Sequence, residues 1–345
     1  MMQADTSTLY SLMIRSRLFE EAVKQLWDAG NISGEMHLGI GEEAVIAGVV
    51  SQLTDGDAMA LDHRGTAALL MRGVDPLSIL LECMGHARGM CAGQGGHMHL
   101  FSKDHLAASS GIVGSAGPAA AGFAIAAKYK KSDKIAVAFF GEGAMNQGMM
   151  LESLNLAAAW KLPVLFVCKD NGWAISTQSK DVTGGNLVDR AKGFGIEAVA
   201  VDGMDVEAVW KAAFEAILKI RSGNGPFFIQ AKCEHREGHF LGDPLLRFHE
   251  APIKNYGQVL GPLMKALFSR KGASMLKRSR SMGKVLSLIS LSGKQRKLEP
   301  DPVDTSQKKQ QEDKLRLDQI KEAAAKGIGS IVQQALEITK GGRDA

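Results

Sequence analysis

Two short polar words, each closing an apolar run, carry the chemistry to be expected of this sequence. Gly141-Glu142-Gly143 follows the run from Ile135 to Phe140, and Asp170-Asn171 follows the run from Pro163 to Cys168. Both runs read as buried parallel strands, and Gln147 to Trp160 between them reads as a helix. In such a strand-helix-strand unit, ligands settle beyond the carboxyl ends of the strands. Glu142 and Asn171 are therefore expected to converge as oxygen ligands on one hard cation. Mg2+ is normally held by one or two carboxylates together with substrate phosphates, and Gly141 and Gly143 let the backbone come close to both. The expectation is a phosphate-metal site.

The same stretch resembles the thiamine-diphosphate motif, a Gly-Asp-Gly followed about thirty residues later by Asn-Asn, a separation that one crossover helix fills. Gly141-Glu142-Gly143-Ala144-Met145-Asn146, the run Glu152 to Pro163, and Asp170-Asn171-Gly172-Trp173-Ala174-Ile175 are similar to the alpha subunit of 2-oxo acid or acetoin dehydrogenases. The resemblance implies an α/β fold in which helices wrap a parallel sheet, the diphosphate-binding half of a thiamine-diphosphate fold, with a C-terminal helical extension. It implies thiamine diphosphate and Mg2+ as cofactors. The metal ligands would be Glu142, the amide of Asn171 and the carbonyl of Trp173. Glu142 takes the place of the usual aspartate, and its extra methylene has to be accommodated within ligand distances of about 2.1 Å.

By the same match Gly141, Gly143 and Ala144 contribute to the cofactor site, Ile175 takes the position that wedges between the two rings of the cofactor, and Gly111 and Val113 face its aminopyrimidine. His63-Arg64 corresponds to the pair that grips the diphosphate, a role that suits arginine's planar fork. His37 and His239 match active-site histidines, the natural proton carriers near neutrality, and His239 also joins the cofactor-binding set. His97 replaces a usual serine and is given no role. Asp170 reads as a turn residue at a strand end.

The implied activity is cleavage of acetoin, pyruvate or another 2-oxo acid, with the cofactor as electron sink and a lipoyl group as acceptor of the acyl unit. The implied partners are a beta subunit, in an alpha-two beta-two assembly with sites at subunit interfaces, and a lipoyl-bearing acyltransferase. His63-Arg64-Gly65 and Gly238 to Asp243 are slightly nearer the acetoin branch than the pyruvate branch, and Phe240 stands where a phosphorylatable serine occurs in some pyruvate enzymes. The choice of substrate stays open. The alternative is a non-catalytic scaffold or interaction protein of the same fold, suggested by Glu142, Asp170 and the Thr66 that replaces a family histidine.

The elements that must position these residues follow from composition and periodicity. The 345 residues, 45% hydrophobic and 23% charged, suffice for one large domain with appendages. Residues 1–250 are expected to form the cofactor-binding α/β domain, 251–310 a basic insertion or linker, and 311–345 a helix. Thr6 to Ala29, Gly41 to Leu53, Pro76 to Gly85, the alanine-rich segment from Pro118 to Lys131, and Asp205 to Ser222 are helical in pattern. Ile196 to Val201 and Phe227 to Lys232 read as strands. The glycine-rich run Gly85 to Gly96 should be a loop that approaches a ligand or partner chain. Glu312 to Lys340 should be amphipathic, with Leu315, Ile320, Ala323, Ile328, Ile331, Ala335 and Ile338 on one side.

The net charge of +4 is unevenly spread, because every charged residue between Glu250 and Glu299 is basic. That segment reads as a solvated insertion or as a surface for an acidic partner; with two aromatics and no known module, nucleic acid is not the expected partner. No window is apolar for long enough to span a membrane. The start lacks a signal-peptide pattern, and a cytoplasmic location is the expectation. Cys83, Cys91, Cys168 and Cys233 lack metal-ligand spacing and are expected as reduced thiols.

Overall fold

Continuous burial along two neighbouring strands sets the architecture. The computed structural model describes residues 4–175, 177–235, 237–242 and 301–341. Within it, β1 (Ala58–Leu61), β2 (Phe101–Ser102), β3 (Ala107–Ser109), β4 (Ala136–Gly141), β5 (Val164–Asp170), β8 (Glu197–Asp202) and β9 (Phe227–Lys232) form one seven-stranded sheet. Its order is β2-β3-β1-β4-β5-β9-β8, and every pairing is parallel except β2 with β3. A separate hairpin pairs β6 (Trp173–Ala174) with β7 (Thr177–Gln178). Strands β4 and β5 are buried up to their last residue, as a parallel sheet covered on both faces requires.

Strand alternation divides the core between those faces. Ala136, Ala138, Phe140, Val164, Phe166, Cys168 and Phe228 belong to one cluster with α5 (Ala116–Tyr129), α6 (Gly148–Ala159) and α8 (Leu187–Gly193). Ala120, Ala121 and Ala124 keep the α5 face small, which lets that helix lie close to the sheet. The alternate residues Val137, Phe139, Leu165, Val167 and Ile229 point to the opposite face, on the side of α9 (Val206–Arg221). Helix α9 begins where Asp205 accepts hydrogen bonds from Glu207 N and Ala208 N, the N-cap the sequence predicts. Against α9 packs α2 (Glu43–Val50), the short apolar helix that carries the site loop at its start.

A second cluster joins α1 (Thr6–Asp28) to the C-terminal part of the chain through Tyr10, Met13, Val303 and Leu317. Here the structure corrects the expected linker, because Pro302–Lys309 is a helix, α10. Its composition is polar, but Asp301 caps it through Val303 N at 2.9 Å, and Pro302 starts its first turn. Arg17 of α1 then ties it down, pairing with Asp301 at 2.9 Å and with Glu43 at 2.6 Å. The last helix, α11 (Lys314–Gly341), buries Leu317, Ile328 and Ala335, whereas Leu315 and Ala323 are exposed. The packed stripe is narrower and differently phased than the apolar pattern suggests.

The sequence reading also omits β1, β3, α8 and α3 (Thr66–Arg72), which are short and rich in alanine, methionine or polar residues. Cys83, Cys168 and Cys233 are buried free thiols and Cys91 is half-buried. Among the described residues no helix is long and apolar enough to cross a membrane. Residues 1–235 and 300–345 make one unit, and 236–299 belong to another. Of the latter, Glu237 to Gly242 is described, a turn with left-handed Gly238 and Gly242. The basic segment from residue 251 lies outside the described residues.

Glu20 of α1 is buried beside the site loop, and burial, then Glu43 and Glu42, push its carboxyl up to about 8. The folded chain therefore holds a proton there that the unfolded chain releases near pH 4.5. Its stabilising contribution is complete below pH 4.5 and is lost as the pH rises toward 8. Glu20→Gln should flatten this slope and stabilise the protein at pH 8 relative to wild type, by on the order of a few kcal/mol. Urea unfolding of both proteins at pH 5 and pH 8 measures the effect, and equal slopes would refute it.

Candidate active site

Five neighbouring strands, β3, β1, β4, β5 and β9, run in one direction, so their carboxyl ends form a single edge. Gly111 and Val113 follow β3, Asp62, His63 and Arg64 follow β1, and Glu142 follows β4. Asn171 follows β5, and Cys233 and His235 follow β9. The chain positions most of the expected site residues by this one topological fact. Gly141 pairs in register with Lys169, which sets Glu142 beside the turn that carries Asn171.

Glu142 opens a 3-10 turn, Glu142–Asn146, that also holds Gly143 and Ala144. Its carboxylate is buried. Oε1 accepts from Ser179 Oγ at 2.7 Å, and Oε2 accepts from Asn171 N at 3.4 Å. Burial, with Asp170 adding to it against the Ser179 hydrogen bond, pushes this carboxyl up to about 7. Asp170 is the expected turn residue: its Oδ1 accepts from Gly172 N at 3.0 Å and its Oδ2 from Gln230 Nε2 at 2.6 Å. The Asn171 amide accepts from Trp173 N at 2.8 Å and meets His235 Nδ1, also at 2.8 Å.

Beneath this pair lies a buried ionic cluster that sequence reasoning missed. Glu42 Oε2 meets Lys169 Nζ at 2.5 Å, and its Oε1 meets His235 Nε2 at 2.5 Å and Arg64 Nε at 4.0 Å. Lys169 also pairs with Asp62 at 3.0 Å. Burial alone would raise Glu42, but Lys169, then His235 and Arg64, hold it well below the usual carboxylate range. Burial works against the charge on Lys169, and Asp62 and Glu42 overcome it, raising that group. Gly41 makes the arrangement possible. At φ +105° it is left-handed, and a Cβ there would sit 1.7 Å from the carbonyl oxygen of Glu234. Cys233 Sγ lies in the same group, but both Glu42 oxygens are already engaged, so these residues form a hydrogen-bonded frame. The available sequence signals were a lysine that closes an apolar run, Pro163 to Cys168, and a glutamate between Gly41 and the apolar α2.

Arg64 is buried and donates to the carbonyl of Leu38 at 2.5 Å. That contact draws in the segment carrying His37, whose ring meets that of His63 edge-on at 4.8 Å. His97, given no role from sequence, is buried against His37: its Nε2 accepts from His37 N at 3.1 Å and lies 2.9 Å from His37 Nδ1. A backbone N–H can only donate, so His97 Nε2 is the acceptor and its own proton is on Nδ1. His37 then carries a proton on Nδ1, and Nε2 is the basic nitrogen of its neutral ring. Burial, then Arg64 and His99, push His97 down to about 4. For His63, burial with help from Arg64 outweighs the opposing pull of Asp62, and its value is also about 4.

The glycine-rich loop that carries His97 is organised by Glu82 of α4 (Pro76–Cys83). Its two oxygens accept from Cys91 N at 2.8 Å, Gly93 N at 2.9 Å and Gly95 N at 2.7 Å. Gly95 has no room for a side chain, since a Cβ would lie 2.1 Å from the carbonyl oxygen of His99. Ile175 is 57% exposed and left-handed at φ +56°. For a β-branched residue that conformation costs roughly 1–2 kcal/mol and is typical of functional positions. Val113 and Ile112 are also exposed. His239 falls in the other unit, where its ring meets Phe240 edge-on at 6.2 Å.

Comparison with known proteins places the chain among relatives. Residues 11–259 match the family model described as the dehydrogenase E1 component. The chain is similar to the alpha subunit of acetoin:2,6-dichlorophenolindophenol oxidoreductase from Cupriavidus necator, at 44% identity over 68% of this chain and 72% of that protein. The protein of the same name from Bacillus subtilis is 41% identical over 68% of this chain and 71% of its own length. The pyruvate dehydrogenase E1 component subunit alpha of Zymomonas mobilis is 41% identical over 68% of this chain and 67% of that protein.

Removal of the Glu82 carboxylate leaves three loop N–H groups without their acceptor. Glu82→Ala should speed hydrogen exchange at Cys91, Gly93 and Gly95 and lower stability by on the order of 3 kcal/mol. Unchanged exchange at those amides would show that the loop is ordered by something else.

Proposed function

The chain belongs to the dehydrogenase E1 component family, and from that premise we propose that it is the alpha subunit of a thiamine-diphosphate- and Mg2+-dependent oxidoreductase. In this reading it cleaves acetoin or pyruvate and passes the acyl unit to a lipoyl acceptor. One observation carries the reading: Glu142 and Asn171 meet at adjacent strand ends around a buried carboxylate. Among the described residues, the groups that reach its oxygens are the neutral Ser179 hydroxyl and Asn171 N–H. A buried carboxylate held up to about 7 gains most from a nearby cation.

The donor set also fits. Glu142 and Asn171 offer the oxygen ligands that Mg2+ prefers, and an amide oxygen that accepts one hydrogen bond keeps a second lone pair for a metal. The Trp173 carbonyl would be the third protein ligand, and the backbone of Gly141, Gly143 and Ala144 would border the diphosphate. His63 and Arg64 would face its negative charge from the end of β1. Ile175 would hold the cofactor's rings in a bent shape, with Gly111 and Val113 along the aminopyrimidine.

When bound, thiamine diphosphate supplies a carbanion-type nucleophile and an electron sink for cleavage beside a carbonyl. The chain's own part is to anchor, to orient and to handle protons. His37, with its proton held on Nδ1 toward His97, would take or give a proton at Nε2, and His239 would be the second proton carrier. A beta subunit would complete the site in an alpha-two beta-two assembly, a lipoyl-bearing acyltransferase would receive the product, and a cytoplasmic location follows from the same reading. Residues 1–250 would serve as the cofactor domain and the basic segment as an appendage to it.

Calorimetric titration of thiamine diphosphate with Mg2+ into the chain purified with its beta partner tests the proposal. Binding should depend on the metal and weaken by at least about 100-fold in Glu142→Ala, the scale of losing a charged ligand. Metal-independent binding, or no loss in that variant, would overturn it. Turnover with acetoin, pyruvate and branched 2-oxo acids then selects the substrate.

A further inference from the structure

The two loops that carry the proposed cofactor residues are tied to each other at a point that the ligand set does not include. Glu142 opens the turn Glu142–Asn146, and Asn171, Trp173 and Ile175 begin an excursion of the chain that ends where α8 starts at Leu187. Among the described residues of that excursion, the regular structure is the β6-β7 hairpin and one helical turn, Ser179–Val182. Side chains have to set its position.

Arg190 does so from α8, a helix fixed in the core by buried Leu187, Val188 and Ala191. Its Nη1 donates to the Met145 carbonyl at 2.7 Å and to Asn146 Oδ1 at 3.0 Å, and its Nη2 donates to the Gly184 carbonyl at 2.6 Å. One guanidinium therefore holds both loops at once. A second tie is direct, with Asn146 Nδ2 donating to Thr183 Oγ1 at 2.9 Å. Donors and acceptors agree throughout: arginine only donates, so the Asn146 oxygen faces it and the NH2 group is left for the Thr183 hydroxyl. The guanidinium is charged at every pH the folded protein meets, and its planar fork reaches separate acceptors that a single lysine nitrogen could not serve in the same way.

We propose that Arg190 is a positioning residue that fastens the Glu142 turn to the loop bearing Trp173 and Ile175, so that the two walls of the cofactor site are set before a ligand enters. This rests on the reading of both loops as cofactor-binding. Its bonds end on Met145, Asn146 and Gly184, none of them an expected cofactor contact. Fastening of this kind acts on affinity, because a ligand that must itself order two loops loses binding free energy in doing so.

Arg190→Met keeps the length of the stem and removes the donors. On the full chain purified with its beta partner and free of cofactor, amide exchange should quicken at Gln147 and Thr183, whose N–H groups bond to the carbonyls of Ala144 and Ser179. Affinity for thiamine diphosphate with Mg2+, measured by calorimetry, should fall by at least about 10-fold. Saturating cofactor should return both amides to their wild-type rates. The melting temperature of the cofactor-free protein should stay within about 3 °C of wild type. Lys192→Met removes an exposed positive charge from the same helix and should match wild type in every measurement.

Wild-type affinity in Arg190→Met would overturn the inference, as would weaker binding with unchanged exchange, the mark of charge acting at a distance. A lower melting temperature with exchange quickened throughout the sheet would give Arg190 a merely structural role and overturn it as well. If Arg190→Met does not fold, Thr183→Val, which removes the direct tie alone, decides by the same readings. Quicker exchange at Gln147 with binding about 3-fold weaker supports the fastening, and wild-type values refute it. Wild-type protein that binds no thiamine diphosphate refutes the cofactor reading itself, while the exchange rates of the cofactor-free protein still test the fastening.

Discussion

The site depends on one buried carboxylate, that of Glu42. It is held between Lys169 from the end of β5 and His235 from beyond β9, with Arg64 from beyond β1 close by. Such a cluster is costly to desolvate, and its worth is conditional: removal of one partner strands the others at about 3–5 kcal/mol, whereas an apolar substitute for the whole would cost little. What it provides is position. Three strand ends and the loop before α2 are brought to one point, and Gly41 supplies the close backbone approach without which Glu42 could not reach it.

Above that frame the charges are balanced differently. Glu42 has cationic partners and is easily ionised, whereas Glu142, about as well buried, has neutral ones and resists ionisation. The contrast separates a structural carboxylate from one that, in the proposed reading, has a cation for its missing partner. Ile175 follows the same logic in the backbone, an exposed β-branched residue held left-handed next to the Asn171 turn. Strain of this kind persists where surrounding structure imposes it. A protein tolerates such local costs because the sheet and its two helical layers supply the stability elsewhere.

The central unit was legible because its signals are local. The runs before Glu142 and Asn171 are continuously apolar, and the structure puts β4, α6 and β5 within a residue or two of the expected bounds. Elements of other kinds were not legible. β1 is the four-residue Ala58–Leu61, too short for any period to register, and it gains its identity from pairing between β3 and β4. α10 has the composition of a linker and becomes a helix through the Asp301 cap and the Arg17 pair, a contact spanning most of the chain. On α11 the apolar residues suggested Leu315 as part of the packed stripe, and the face that meets α1 selects Leu317.

Sequence alone determined the parallel α/β fold, the polar words at its strand ends and the family to which they belong, because each is written in contiguous residues whose spacing matches one crossover. Only the tertiary structure decided which charges meet. Glu42, Lys169 and His235 are far apart in the chain, as are His37 and His97, and neither pattern nor composition links them. Their partnership comes from parallel strands ending at a common edge, which gathers distant residues into a volume where water is excluded and each polar atom must find its complement.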